Sequence, residues 1–413
     1  MKRRPWLKGA AAAVVGGCSR APSGRPGRLG FKHQPMWGDP EPFRAMLDAF
    51  RAAHPGIELV TEALPNASDA AHQFFLTALE GGASDFDVFV ADVVWVAELA
   101  KAGWIADLSS AFSPDELARE FLPEPVETAV IDGRTFGVPW YADVGVMYRR
   151  TDLVPDAPRT TDELAARARG IVASEGISGF VWQGRQYEGL VCNAFEAFWA
   201  HGAMQGDALA LDTPEAVRGL SYLRELIKTC ASPRSVTSMA EEDARRAFQS
   251  GSAAFMRNWP YALAELEREG SPVRGRVAIS LLPTASGEPG HGTLGGFSLV
   301  INAHAPVENR EAALDLVRHL TSFESALILA EAYARSPARR APYESPELKA
   351  RAPGVAALSR ALELAWPRPV TPFYPLYTDV MQGELSAAIA GIRSPEQALA
   401  RVRASAERLA GRR

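Results

Sequence analysis

The sequence predicts an α/β protein of two lobes, joined by extended segments that cross between them. Three observations lead to this fold class. The chain has 413 residues, which is more than one hydrophobic core normally serves, so two domains are expected. Short apolar strands alternate with amphipathic helices, as in sheets covered by helices. Two extended, glycine-containing passages, 133–149 and 292–297, separate similar α/β blocks, as expected where a chain passes between lobes.

The first α/β block shows the alternation most clearly. Apolar residues at helical spacing predict a helix over 42–54, which Pro55-Gly56 ends. The further elements predicted here are a strand over 57–64, a helix over 70–79, a strand over 86–90 and a helix over 94–102. Regular structure is predicted to begin near Leu29, and the alternation predicts a mostly parallel sheet.

The second block follows the first crossing and repeats the pattern. Its predicted elements are helices over 161–174, 189–202, 213–228 and 241–249, with strands over 180–182 and 253–256. After the second crossing the sequence predicts a strand over 298–301 and helices over 309–321 and 324–334. Two α/β blocks joined by crossings of the chain indicate a ligand site in the cleft between the lobes.

Composition and charge narrow the functional classes. The chain is 47% hydrophobic and 23% charged, with a formal net charge of -5 and a pI of about 5.9. No basic field exists to hold nucleic acid, so a nucleic-acid partner is not expected. No stretch of the sequence has the length of a membrane span.

The N-terminus has the features of an export signal. Basic residues at 2–4 and 8 precede an apolar run over 9–17 that ends at Cys18. The run VGGC at 15–18 resembles a bacterial lipobox, whose cysteine is acylated, and KRRPWLK at 2–8 resembles a twin-arginine signal. We therefore predict a signal peptide over 1–18, a lipid on Cys18 and a flexible tether over 19–29. A basic tail with an incidental cysteine is the alternative, and Sec export and the choice of membrane stay open.

Two further cysteines, Cys192 and Cys230, leave two alternatives open. In an oxidising compartment they could form a disulfide. Two unpaired core thiols fit the sequence equally, because spacing alone does not decide pairing.

Four strings in the chain resemble one protein family. They are FVWQGRQYEGL at 180–190, AFMRNWPY at 254–261, LGGF at 294–297 and RPVTPFY at 368–374. From about residue 30 onward the chain resembles the extracellular solute-binding proteins of ABC sugar importers (family 1), within them most the trehalose/maltose-binding branch. The resemblance implies a type II, maltose-binding-like periplasmic-binding-protein fold with hinge crossovers. It assigns 30–140 with 297–345 to lobe I and 141–296 with 346–413 to lobe II.

The resemblance also implies the residues that contact sugar. They correspond in this chain to Asp39 (with Glu41 as a substitute), Asp92, Tyr141, Asp143, Tyr187, Glu241, Trp259, Tyr261, Gly296, Phe297 and Arg368. Two positions depart from the family. Ala71-His72 stands where an arginine is frequent, which removes one hydroxyl contact, and Phe297 replaces a frequent tryptophan, which removes an N–H donor.

Each of these residues also has a purely structural interpretation. Asp39 and Asp92 could cap the helices that follow them, and Glu241 and Glu242 could stabilise a helix dipole. Trp259 and Tyr261 could be core side chains. Tyr141 and Asp143 could be hinge packing, and Arg368 a solvated surface charge.

The set nevertheless suits a neutral polyol. A sugar ring offers C–H faces for aromatic stacking and hydroxyl edges for carboxylates and arginine. Paired carboxylates also occur in glycosidases, but the sequence contains no GxSxG, HExxH or phosphate-binding glycine loop. We therefore expect a binding protein and not an enzyme, with no catalytic residue, no metal and no cofactor.

The function implied by the resemblance is substrate capture for import. An α-linked glucose disaccharide, such as trehalose or a maltose-like sugar, is expected to bind in the cleft as the hinge closes. The exported, lipid-anchored monomer, in the periplasm or at the cell surface, would then deliver it to ABC permease subunits. The alternatives are a sugar-sensing partner of a membrane receptor and a glycoside hydrolase.

Overall fold

The computed structural model has two main sheets, each flanked by helices. It describes residues 27–65, 68–204 and 211–410. The predicted signal peptide over 1–18, with Cys18, and most of the tether over 19–29 lie outside these residues. The first strand begins at Arg28, one residue before the predicted start of regular structure.

The strands of the described residues include long buried ones and two-residue pairs. They are β1 (Arg28–His33), β2 (Glu58–Ala63), β3 (Val88–Asp92), β4 (Val130–Ile131), β5 (Arg134–Thr135), β6 (Val138–Val144), β7 (Val146–Arg150), β8 (Ser178–Val181), β9 (Ala253–Asn258), β10 (Val277–Ser280), β11 (Leu294–Ile301) and β12 (Ser336–Pro337).

The helices of the first part of the chain alternate with these strands. They are α1 (Glu41–Ala53), α2 (Ser68–Glu80), α3 (Val96–Lys101), α4 (Pro114–Glu120), α5 (Pro123–Ala129), α6 (Thr161–Glu175), α7 (Glu188–Ala200), α8 (Pro214–Lys228), α9 (Glu241–Gln249) and α10 (Ala262–Glu267).

The helices of the last part follow one another with little strand between them. They are α11 (Arg310–Leu320), α12 (Phe323–Tyr333), α13 (Ala341–Glu344), α14 (Pro346–Arg351), α15 (Pro353–Ala356), α16 (Ser359–Glu363), α17 (Tyr374–Ile389) and α18 (Pro395–Ala410). Two short 3-10 helices lie at Arg234–Ser238 and Val307–Asn309.

Helix α1 illustrates how the sequence sets these elements. Phe43, Met46, Leu47 and Phe50 are buried along one stripe, as their spacing of three and four residues predicts. A proline stands in the first turn, where its missing N–H costs nothing. The helix is followed by Pro55-Gly56, which turns the chain into β2.

The first lobe is built on a six-stranded sheet in the order β12-β6-β11-β3-β1-β2. Strands β1, β2 and β3 are parallel, whereas β11 runs antiparallel to both β3 and β6. The second lobe has a four-stranded sheet in the order β10-β7-β9-β8, in which only β8 and β9 are parallel. The prediction of a mostly parallel sheet is therefore wrong. Strand β11, which returns from the second lobe, is antiparallel to both of its neighbours in the first sheet. Strand β7, which arrives from the first lobe, is antiparallel to both of its neighbours in the second sheet.

The predicted elements otherwise appear with small shifts of their ends. Helix α9 has the predicted bounds, and α6 is one residue longer than predicted. The largest shift is at the start of β11, which the pattern places at Ser298 and the structure at Leu294. Strand β3 moves by two residues at both ends, from the predicted 86–90 to Val88–Asp92. The apolar pattern includes Phe86, but the strand itself begins at Val88.

Three crossings join the lobes and lie side by side. The Gly145 N–H donates to the Thr293 carbonyl at 3.1 Å, and the Trp366 N–H donates to the Gly292 carbonyl at 2.9 Å. We call Gly145, Thr293 and Trp366 the hinge triplet. Strands β6 and β11 span the boundaries proposed at 140/141 and 296/297, and the crossings lie at Gly145, directly after β6, and at Thr293, directly before β11. The division into lobes at those positions stays a prediction.

The hinge triplet is bound to the second lobe by a buried ion pair. Arg257 donates from Nε to Glu196 Oε2 at 2.8 Å and from a second nitrogen to Glu196 Oε1. Glu196 Oε1 also accepts the Thr293 N–H at 3.0 Å. A Cβ on Gly145 would lie 1.8 Å from the same oxygen. Only glycine fits this crossing without displacing the pair.

Both remaining cysteines of the described chain are free thiols. Cys192 is buried in α7, and Cys230 is exposed after α8. The alternative of a disulfide between them is thus not realised. Across the described ranges, no helix combines the length and the apolar character needed to cross a membrane.

Candidate functional site

A cavity lies where the two lobes face each other, in front of the hinge triplet. Residues from both sheets and from the last crossing surround it. Its lining consists of Gln34, Pro35, Trp37, Ser68, Asp92, Asp143, Tyr187, Glu188, Gly189, Cys192, Glu241, Glu242, Trp259, Tyr261, Gly295, Gly296, Phe297, Arg335 and Arg368.

Strand register brings the first lobe's carboxylates to the cavity. Asp92 ends β3 and lies opposite Phe297 of β11, while Asp143 of β6 lies opposite Gly295. Both carboxylates therefore reach the same edge of the sheet, the edge at which α/β proteins bind ligands. Gly296 has a φ of +107°, and a Cβ there would lie 2.4 Å from the Tyr141 carbonyl. Glycine is thus required for the two strands to approach so closely.

The second lobe contributes the aromatic residues that follow β9. The Tyr148 hydroxyl donates to the Trp259 carbonyl at 2.8 Å and fixes this turn. Trp259 Nε1 donates to Glu241 at 3.4 Å, and the Tyr261 hydroxyl donates to Glu242 at 2.8 Å. The first turn of α9 thus orients both rings beside the cavity.

Arg368 connects carboxylates of the two lobes. Its Nη1 donates to Glu188 at 2.5 Å and its Nη2 to Asp92 at 3.4 Å. Glu188 also accepts the hydroxyl of Tyr374 at 2.5 Å and that of Thr378 at 2.5 Å. Glu188 therefore accepts hydrogen bonds at both of its oxygens, and Arg368 joins a carboxylate of one lobe to a carboxylate of the other.

A second arginine, Arg335, pairs with Asp143. Its Nη1 donates to Asp143 Oδ2 at 3.2 Å, and both side chains are buried. Its guanidinium lies 4.8 Å from the centre of the Tyr141 ring and 5.3 Å from that of the Tyr261 ring. These rings belong to different lobes, so Arg335 also bridges the cleft.

Burial shifts the acidity of these groups. It raises the pKa of Asp143 to about 6, against the opposing pull of Arg335. Burial also raises the pKa of Asp92, which the Arg368 charge partly offsets. Outside the lining, burial and the Glu188 charge raise the pKa of Asp69 to about 6.

Most of the predicted contacts meet at this cavity. Those that line it are Asp92, Asp143, Tyr187, Glu241, Trp259, Tyr261, Gly296, Phe297 and Arg368. Asp92 also has its capping role, because its Oδ1 accepts the Val94 N–H at 3.3 Å. The structural and functional interpretations are compatible for this residue.

Two predicted contacts do not line the cavity. Asp39 is exposed, and its Oδ1 accepts the Glu41 N–H at 3.0 Å, so it fixes the turn before α1. Glu41, its proposed substitute, pairs with Arg44 on the exposed face of that helix. Tyr141 is fully buried one layer behind the lining, with its ring centre 5.5 Å from that of Phe297.

The departure noted at Ala71-His72 also lies away from the lining. Ala71 is fully buried on the core side of α2. His72 Nε2 lies 2.6 Å from Glu98, and its ring stacks on Trp95. This segment therefore supports the first lobe, and the guanidinium groups of the lining are those of Arg335 and Arg368.

Sequence reasoning missed four charged or aromatic residues of the lining: Trp37, Glu188, Glu242 and Arg335. Glu188 follows Tyr187 directly, and a carboxylate in the first turn of an apolar helix was an available signal. Arg335 gave no signal, because Arg339 and Arg340 nearby make the segment look like a charged surface.

The donor set of the cavity does not form a metal centre. In the part of the chain that the structure describes, no three His, Cys, Asp or Glu side chains are placed to hold a metal ion. Carboxylates that are already bonded to arginine and hydroxyl groups are poor metal ligands, but they remain good acceptors for a neutral polar ligand.

Comparison with known proteins agrees with this geometry. The family model of the bacterial extracellular solute-binding protein matches residues 45–357. The chain belongs to this family. It is a family of binding proteins, so the prediction of a binding protein and not an enzyme is confirmed.

A solved member of known ligand confirms the fold class. Maltose-bound MalE3 of T. maritima is 36% identical, with a TM-score of 0.86, and the match covers 92% of this chain and 99% of that one. This solute-binding protein therefore has the predicted two-lobed, maltose-binding-like fold.

Two curated relatives match a shorter stretch. A probable ABC transporter-binding protein of Deinococcus radiodurans is 37% identical over 62% of this chain and 63% of its own length. A maltotriose-binding protein of Pyrococcus abyssi is 22% identical over 72% of this chain and 63% of its own length. The chain thus spans less than two thirds of the length of these relatives.

Proposed function

We propose that this solute-binding protein captures a small neutral sugar in the cleft between its lobes. The observation that carries the proposal is a set of buried, unbonded polar atoms in residues that line the cavity. Asp143 Oδ1, Arg335 Nε and Arg368 Nε make no hydrogen bond within the described chain. An unpaired buried polar atom costs about 1–3 kcal/mol, so a ligand with hydroxyl groups stabilises the closed cleft.

The aromatic lining supports the same class of ligand. Trp37, Trp259, Tyr261 and Phe297 offer flat faces to the C–H surface of a sugar ring. The charges of the lining disfavour anions, because it contains only two arginines, Arg335 and Arg368, against five carboxylates: Asp92, Asp143, Glu188, Glu241 and Glu242. Phosphorylated sugars and uronates would meet this excess of carboxylates and are expected to bind poorly.

For the finer specificity we propose an α-linked glucose disaccharide. The similar T. maritima protein was solved with maltose, and the P. abyssi relative is named for maltotriose. Carboxylates and arginines around aromatic faces match the alternating hydroxyl edges of glucose units. Maltose and trehalose are therefore the first ligands to test.

Binding would act through closure of the lobes. Arg368 and Arg335 contact residues of both lobes, so a sugar that bonds to them gains contacts only in the closed form. Such a ligand shifts the population towards closure. The closed surface is then the form expected to dock on the permease subunits of an ABC importer.

We also propose that the protein is exported and anchored by a lipid on Cys18. The support is the lipobox-like string at 15–18, behind the basic residues of the N-terminus. Replacement Cys18→Ser is expected to move the protein from the membrane fraction to the soluble fraction of cells. Incorporation of labelled palmitate into the wild type alone would support acylation, and labelling of both proteins would contradict it.

A ligand screen tests the sugar proposal. Maltose, trehalose, sucrose and longer glucans are added to the purified protein, and the ligand should raise its melting temperature by mass action. Calorimetry then gives the Kd of the best ligand. Trp259→Ala is expected to weaken binding at least about 100-fold, by loss of stacking and shape.

The control for that variant is Trp104→Ala, which changes a tryptophan outside the lining. It is expected to leave the Kd unchanged while the fold, checked by circular dichroism, persists. Equal affinity of wild type and Trp259→Ala would refute the site assignment. No shift with any of these sugars would refute the proposed ligand class.

A further inference from the structure

The pair Asp143–Arg335 is bonded on one side only. A single hydrogen bond, from Nη1 to Oδ2, joins the two groups. The other carboxylate oxygen, Oδ1, and the other edge of the guanidinium, at Nε, are buried and unbonded within the described residues. The two residues that carry this unbonded acceptor and this unbonded donor are paired with each other, and both line the cavity.

The backbone before Arg335 is shaped to present it. Helix α12 ends at Tyr333, and the residue that caps it, Ala334, has a φ of +50°, a left-handed conformation unfavourable for a residue with a Cβ. The Arg335 N–H then bonds back to the Leu329 carbonyl at 3.2 Å. Strain of this kind persists where the surrounding structure requires it, and here it turns Arg335 towards the cleft.

Two tyrosine rings then fix the plane of the guanidinium. Tyr141 is part of the first lobe's sheet, and Tyr261 follows strand β9 of the second lobe's sheet. A planar fork held by two rings loses little freedom when it binds a ligand. The Tyr261 contact crosses the cleft, so the orientation of Arg335 depends on how closely the lobes approach.

We propose that Arg335 and Asp143 bind two neighbouring hydroxyl groups of the sugar, and that Arg335 couples this binding to closure through Tyr261. This inference rests on the proposed function and specifies its site. One hydroxyl accepts from the guanidinium, and the adjacent one donates to Asp143 Oδ1. The ligand class is therefore a neutral sugar with a free vicinal diol.

The rival interpretation is that the pair serves only to hold the first lobe together. The hinge pair Arg257–Glu196 shows what such a pair looks like in this protein. There the carboxylate is bonded at both oxygens, and Arg257 Nη1 has a further bond to Gln183 at 3.2 Å. In the Asp143–Arg335 pair only Oδ2 and Nη1 are bonded to each other, which leaves Oδ1 and Nε for a ligand.

The test compares maltose with its single-deoxy analogues on wild type, Arg335→Met and Arg335→Lys, by calorimetry. Arg335→Met is expected to weaken maltose binding about 10- to 100-fold, the effect of one charged hydrogen bond. Arg335→Lys keeps the charge but lacks the fork, and is expected to fall between the two. At least one deoxy analogue should bind poorly to wild type and lose little further affinity in Arg335→Met.

Two results would overturn the inference while leaving the proposed function intact. One is an unchanged maltose Kd in Arg335→Met. The other is an equal loss for every deoxy analogue in both proteins, which would mean that Arg335 contacts no particular hydroxyl. If wild type binds no sugar at all, the proposed function itself fails.

A measurement on the wild type covers the case in which Arg335→Met does not fold. The arginine Nε–H signals are recorded by NMR, and the Arg335 signal is identified by its absence in Arg335→Lys. Maltose is expected to move this signal, because Nε gains an acceptor. A signal that stays in place at saturating maltose would contradict the contact.

Small-angle scattering tests the coupling to closure. Maltose should reduce the radius of gyration of the wild type, and the reduction at saturation should be smaller in Tyr261→Leu. Tyr261→Phe, which keeps the ring facing Arg335, is the matched control and should close as the wild type does. Equal closure of all three proteins would remove Arg335 and Tyr261 from the closing mechanism.

Discussion

Two buried arginine–carboxylate pairs lie on opposite sides of the hinge and differ in one respect. Arg257–Glu196 behind the hinge triplet is bonded at both carboxylate oxygens, to the guanidinium and to the Thr293 N–H. Asp143–Arg335 in the cleft has one bond between its partners and leaves Oδ1 and Nε unbonded within the described chain. The two pairs are similarly buried, with side-chain exposures of 1% and 6% in the hinge and 8% and 7% in the cleft.

The difference separates two uses of the same chemistry. A buried charge is costly unless hydrogen bonds compensate it fully. The hinge pair obtains that compensation from the protein and therefore fixes a crossing that must keep its shape. The cleft pair obtains only part of that compensation from the protein. A ligand that supplies the missing hydrogen bonds is therefore bound more tightly.

The largest expected effect is on the hinge pair. Glu196→Gln leaves Arg257 buried without a counter-charge, and the free energy of unfolding should fall by about 3–5 kcal/mol. Urea unfolding measures it. The control Glu225→Gln, in an exposed pair with Lys228, should change stability by no more than about 0.5 kcal/mol. A loss below about 1 kcal/mol for Glu196→Gln would show that the two pairs do not differ as proposed.

The next effect tests the steric fit of the same crossing. Gly145→Ala places a methyl group against Glu196 Oε1 and Arg257, and should lower the free energy of unfolding by about 2–3 kcal/mol through forced repacking. Gly170→Ala in α6 meets no atom within 4 Å and should stabilise the protein by about 0.5–1 kcal/mol. If both variants unfold at the same urea concentration, the crossing is less constrained than the distances indicate.

The smallest effect concerns the cleft pair and pH. Burial raises the pKa of Asp143 from 3.8 to about 6 in the folded state, where Arg335, Asp92 and Arg257 face it. The folded protein therefore holds this proton more tightly. The stability that Asp143 contributes is full below pH 3.8 and is lost as pH rises through about 6.

The sugar-free wild type should thus gain about 1 kcal/mol relative to Asp143→Asn when the pH falls from 7 to 5. Unfolding in urea at both values provides the measurement. A difference between the two proteins that does not change with pH would mean that Asp143 is not held in an unfavourable ionised state.

Much of the fold could be predicted from the sequence because its elements are locally determined. Helices such as α1 and α9 follow from apolar spacing and turn residues. The direction of the strands could not be predicted, because β6 and β11, which pair antiparallel in the first sheet, are separated by the whole excursion of the chain through the second lobe. The prediction of a mostly parallel sheet failed for this reason.

The site was predictable where its residues lie in recognisable strings. Trp259, Tyr261 and Arg368 are examples, and all line the cavity. Asp39 instead fixes the turn before α1 by accepting the Glu41 N–H, and an aspartate just before a helix suits either role in the sequence. Arg335 could not be inferred, because its partner Asp143 is 192 positions away and only the folded sheet brings them together.

A crystal structure of the protein with maltose tests the account most directly. We expect the sugar between Trp259 and the first lobe, with Arg335 Nε and Asp143 Oδ1 each within about 3.2 Å of adjacent hydroxyl groups. The Arg257–Glu196 pair should keep its present bonds. A sugar seated in the cleft while Arg335 Nε bonds only to protein, or a hinge pair that opens on binding, would contradict the account.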